Sequence, residues 1–126
     1  MKSWIDGETE AGKHYAVTRD QASEAIEKEI SIGKQARDAG NEGMMRVCSR
    51  RAAGIALQHW LELNPHPDWG TDVMNRLRNL QHEETIPQDV REAAKRLTSK
   101  VTENFAYSST SNPIEDATSI IHYMLG

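Results

Sequence analysis

Between Met44 and Leu61, apolar side chains recur at steps of three and four residues. Met44, Val47, Cys48, Ala52, Ile55, Ala56 and Trp60 form one stripe, and Ala53, Leu57 and Leu61 widen it. At 3.6 residues per turn this spacing gathers them on one side of an α-helix. The breadth of the stripe predicts a helix buried on more than one side. Asn64-Pro65-His66-Pro67 ends it, because two prolines remove helix donors and restrain the residues before them. No segment of the chain shows the two-residue alternation of a half-buried strand.

The same logic finds four more helices. Thr18-Arg19-Asp20-Gln21 has the spacing of a capping box, and Ala22, Ile26, Ile30 and Gly33 follow at helical intervals up to Gly40. This predicts a first helix over residues 18–39, with the stripe helix starting near Asn41 or Gly43. Thr71-Asp72 caps a third helix carrying Val73, Leu77 and Leu80, which is expected to close around His82-Glu83-Glu84. Pro87 suits the first turn of a fourth, whose stripe is Val90, Ala94, Leu97, Val101 and Phe105. Tyr107 to Ser111 reads as a polar loop. Asn112-Pro113-Ile114-Glu115 opens a fifth helix that turns Ala117, Ile120, Ile121, Met124 and Leu125 inward. The fold class is therefore all-α, a compact bundle of about five helices spanning residues 18–126, preceded by a flexible arm over residues 1–17.

With 126 residues the chain is the size of one domain, long enough to bury a core without staples. One cysteine rules out an internal disulfide and any Cys-rich zinc site. No apolar run approaches the length of a membrane span, and Met1 to Glu8 holds no signal core, so a cytoplasmic protein without a membrane role is expected. The net charge of −4 argues against a general nucleic-acid coat. The charge is uneven, however. Residues 34–51 carry Lys34, Arg37, Arg46, Arg50 and Arg51 against two acidic groups, while the flanking regions are net acidic. Such a strip can steer one anionic partner, or it can be an ordinary solvated face.

Most chemistries find no residues here. Glu-x-x-His pairs for a di-metal bundle are missing, the five histidines are scattered, and there is no Gly-rich phosphate loop, so no metal and no cofactor is expected. Cys48 lies on the apolar stripe as a small hydrophobe. The exception is Arg76-Leu77-Arg78-Asn79-Leu80-Gln81-His82. It gathers two cations, an amide and an imidazole at one helix end. Arginine holds phosphate with a planar fork, and histidine can move a proton near neutral pH. The bland alternative is a cationic helix end that complements the dipole.

The chain resembles the HEPN domains, small all-α proteins often found beside nucleotidyltransferases. The likeness rests on Ala22 to Ala39 running into Met45 to Ala56, on Leu77 to His82 with the polar turn after it, and on Asn112-Pro113-Ile114-Glu115-Asp116-Ala117. It covers residues 18–125 and implies an up-and-down helical core. It also implies homodimerisation, a nucleotidyltransferase partner, and RNA or a nucleotide as ligand. In active members it implies metal-independent ribonuclease activity. In that family an arginine followed by a polar residue is separated from a histidine by four to six intervening residues. On this reading His82 transfers the proton, Arg78 or Arg76 holds phosphate, Asn79 orients the histidine, and Arg46, Arg50 and Arg51 contact the nucleic acid. The motif is divided: Arg78-Asn79 is the right dipeptide but only three residues lie before His82, whereas Arg76 has the right spacing but is followed by Leu77. A non-enzymatic subunit that dimerises or docks a partner is the alternative, motivated by the apolar supply of the first two helices and of Ile120, Ile121, Tyr123, Met124 and Leu125.

Overall fold

The Thr18 hydroxyl accepts the Gln21 amide at 3.1 Å, and the Gln21 side chain accepts the Thr18 amide at 3.0 Å, so the first helix opens with the expected capping box. In the computed structural model, residues 18–99 and 112–126 are described. They form α1 (Arg19–Asp38), α2 (Glu42–Leu63), a 3-10 turn (Pro67–Trp69), α3 (Val73–Leu80), α4 (Gln88–Thr98) and α5 (Pro113–Leu125), with no strand among them. The expected arm, Val101, Phe105 and the Tyr107–Ser111 loop lie outside the described residues.

Every α-helix start but that of α4 is capped by a side chain. Asn41, Asp72 and Asn112 each accept a backbone amide three residues on, at 2.9–3.0 Å. Gly40 supplies the positive φ, 78°, that turns the chain from α1 into α2. Two boundaries differ from expectation. Pro87 stands just before α4 instead of inside its first turn. α3 ends at Leu80, two residues early, and the chain passes through a tighter turn in which Gln81, His82 and Glu83 each donate to the carbonyl three residues back.

The broad stripe makes α2 the centre of the bundle: it packs on α1, α3, α4 and α5. Leu57, Leu77, Leu80, Ile86, Leu97 and Ile120 are fully buried around it, each contributing roughly 1.5–3 kcal/mol of transfer free energy. Its small residues let neighbours approach closely. A Cβ on Gly54 would lie 2.8 Å from a methyl of Val73, so this glycine is where the first turn of α3 rests on α2.

Polar groups lock α4 in place. Asp116 of α5 is buried and receives Nε and Nη2 of Arg96 at 3.0 and 2.9 Å. On the other flank Arg46 and Arg50 of α2 reach the last carbonyls of α4, at Ser99 and Leu97. Cations at the negative end of a helix dipole are favourable.

Candidate anion-binding site

The Arg76–His82 heptapeptide does not converge. Arg76 turns back toward α2, where Nε donates to the Gly70 carbonyl at 2.9 Å and Nη1 donates to Gln58 Oε1. There it lines a cavity of about 340 Å³ with Gln58, Glu62, His66 and Thr71. Arg78 is exposed and donates to Asn75 Oδ1 at 3.0 Å. Asn79 donates its amide to the Asn75 carbonyl at 2.8 Å, so that donor is taken and the group is held one turn toward the helix start. His82 lines a different cavity, of about 540 Å³, that includes none of these three side chains.

The tightened turn separates His82 from Arg78, while Arg76 is held back by Gly70 and Gln58. On a continuing α-helix Arg78 and His82 would stand about 40° apart around the axis. Three steps at 3-10 geometry, about 120° each, widen that to roughly 100°. His82 is carried toward α4, while Arg76 stays on the α2 side.

The histidine instead meets residues of α4. Gln81, His82, Gln88, Arg91, Glu92 and Lys95 line its cavity. Arg91 is half-buried, and its Nε donates to the Ile86 carbonyl at 3.0 Å. That bond fixes the guanidinium, and its two terminal nitrogens have no hydrogen-bond partner among the described residues. The Lys95 ammonium and the His82 ring are exposed and make no hydrogen bond or ion pair among the described residues. Glu92 is the one acidic group in the wall, and it accepts from Gln88 Nε2 at 3.0 Å. Two cations and an imidazole around one open concavity can hold an anion.

The basic strip takes another role. Arg46 is only 8% exposed and, with Arg50, is bonded to the end of α4; Arg51 alone of the three is exposed. None of them lines the His82 cavity. Arg46 and Arg50, four residues apart, share one face of α2, and that face meets the α4 end.

Sequence reasoning passed over Gln88, Arg91 and Lys95. Their signal was present: three- and four-residue steps on the side of α4 away from Val90, Ala94 and Leu97. It had no partner until folding brought His82 alongside. His66 was also missed. It stacks on Trp60 with centroids 5.4 Å apart and lies tilted against Trp69 at 4.5 Å, and its Nε2 stands 3.6 Å from Glu83.

Cys48 is 1% exposed, and burial, then the neighbouring Glu29 carboxylate, pushes its thiol above the ordinary range against the pull of Arg51. It is a core residue and not a nucleophile. No group of three or more His, Cys, Asp and Glu able to hold a metal occurs among the described residues, and no helix there is long and apolar enough to cross a membrane. No protein-family model, curated protein or solved structure matches the chain.

Proposed function

We propose that this helical domain binds the phosphate of RNA or of a nucleotide in the cavity between the Gln81–Glu83 turn and α4. The observation that carries this reading is the meeting of His82 with Arg91 and Lys95 in one open concavity. The HEPN resemblance points to the same ligand class and to the same histidine. The function is binding and not cleavage, because Arg76 is committed to Gln58 and Gly70 and Arg78 to Asn75. The acidic protein surface favours a short contact over a long phosphate track.

Fluorescence anisotropy with a labelled single-stranded RNA tests this reading. Arg91→Ala/Lys95→Ala should lose about tenfold or more in affinity, with unchanged helical circular dichroism. Two phosphate contacts give a slope of about −1.4 in log affinity against log salt. Unchanged affinity in the double variant would overturn the site, and RNA cleavage lost in His82→Ala would overturn the restriction to binding.

A second reading, homodimerisation, is favoured by the groove between α1 and α5. Ile26, Glu27, Ile121 and His122 are common to the two cavities that make it up. Glu27 and Lys34 both stand on it, so a twofold pairing of antiparallel α1 helices would match each with the other's counterpart. Light scattering at high micromolar concentration should show a dimer that Ile121→Glu dissociates; a strict monomer sinks this reading.

A further inference from the structure

We infer that Gln81 and Gln88 make the His82 cavity selective for a ligand bearing ribose hydroxyls beside its phosphate; this rests on the phosphate-binding reading above. The inference starts from which way each amide must face. The Thr98 hydroxyl gives its proton to the carbonyls of Ala94 and Lys95, at 3.1 and 3.0 Å. With that proton so used, its oxygen accepts from the Gln81 NH2 group, 2.9 Å away. Gln88 faces the Glu92 carboxylate at 3.0 Å, which also only accepts. Both NH2 groups are thus tied to the wall by chemistry.

What remains of each side chain is a carbonyl oxygen. Neither Gln81 Oε1 nor Gln88 Oε1 has a hydrogen-bond partner among the described residues. The cavity therefore offers two cations, an imidazole and two neutral acceptors. Inorganic phosphate held by the cations would have only its own P–OH to offer these acceptors, with no donor placed at a sugar's distance. A hydroxyl supplies the missing donor, and the 2′-hydroxyl is the group that separates ribose from deoxyribose. The spacing along α4 suits this division. Gln88 lies three residues before Arg91, about 4.5 Å along the axis, so a phosphate at Arg91 and Lys95 leaves its own sugar close to the glutamine. An amino group on a base would be farther away.

A titration followed by proton–nitrogen chemical shifts of the full chain, with adenosine 5′-monophosphate, its 2′-deoxy analogue and inorganic phosphate, tests the inference. The ribonucleotide should bind about three- to tenfold more tightly than the deoxyribonucleotide, the effect of one neutral hydrogen bond. Gln88→Met and Gln81→Met should each shrink that ratio while leaving inorganic phosphate binding in place. Equal binding of both nucleotides, weakened alike by Arg91→Ala/Lys95→Ala, would overturn the hydroxyl selectivity and leave the phosphate site standing. Binding of none of the three compounds would overturn the phosphate reading and this inference with it.

Discussion

Replacing Gly54 by alanine tests how the bundle is packed. Alanine is the better helix former by about 0.8–1 kcal/mol, so on an open helix the change would stabilise. Here the new methyl would meet Val73 Cγ2 at 2.8 Å and Cγ1 at 3.2 Å. Ordinary carbon–carbon contacts lie at about 3.5–4.0 Å. Val73 cannot swing aside easily: it is β-branched, and it is the first residue of a helix capped by Asp72. Forcing a methyl into packed space costs about 1–3 kcal/mol, so the expected net loss is roughly 0–2 kcal/mol. For a domain of this size that lowers the melting temperature by up to about 8 °C. The sign should reverse in a Val73→Ala background, where both offending methyls are gone and only the helix preference remains. Thermal melts of the four proteins, followed by circular dichroism, decide it. An equal loss in both backgrounds would refute the contact, and a gain in the native background would refute the packing.

Other perturbations separate scaffold from site. Arg96→Ala strips the guanidinium from buried Asp116 and should lower stability by about 2–4 kcal/mol in urea, less than a fully buried pair because Arg96 is partly exposed. Arg96→Met/Asp116→Leu should recover most of the loss. The raised Cys48 thiol stays protonated in the folded state at a pH where the unfolded thiol, near 8.5, ionises. Stability from this group is complete below about pH 8.5 and falls as pH rises above it. The urea midpoint should therefore drop between about pH 8 and 10 more in the native protein than in Cys48→Ala, and equal drops would exclude the effect.

The fold was legible in the sequence where a residue marks structure by its own chemistry. Thr18, Asn41, Asp72 and Asn112 announce helix starts through local hydrogen bonds, and the breadth of the Met44–Leu61 stripe announced a helix buried on several sides. The tightening after Leu80 was not legible. A capped α3 could continue to His82 by local preference; burial of Leu80 and Ile86 against the core turns the chain early. That one turn decides the site. It takes His82 away from Arg78 and gives it to Arg91 and Lys95, whose relevance depends on a neighbour nine or more residues away. Arg46 and Arg50 show the same limit. Their charge was visible in the sequence, but the α4 carbonyls that occupy them belong to tertiary structure.

Mapping backbone amide shifts on addition of a short single-stranded RNA locates the contact without relying on activity. Shifts should concentrate at Gln81, His82, Gln88, Arg91 and Lys95, disappear in Arg91→Ala/Lys95→Ala, and leave Arg76 and His66 in place. Shifts centred instead on Arg76 and His66, or on Arg51, or no shifts at RNA concentrations up to the millimolar range, would contradict the assignment of this cavity as the phosphate site.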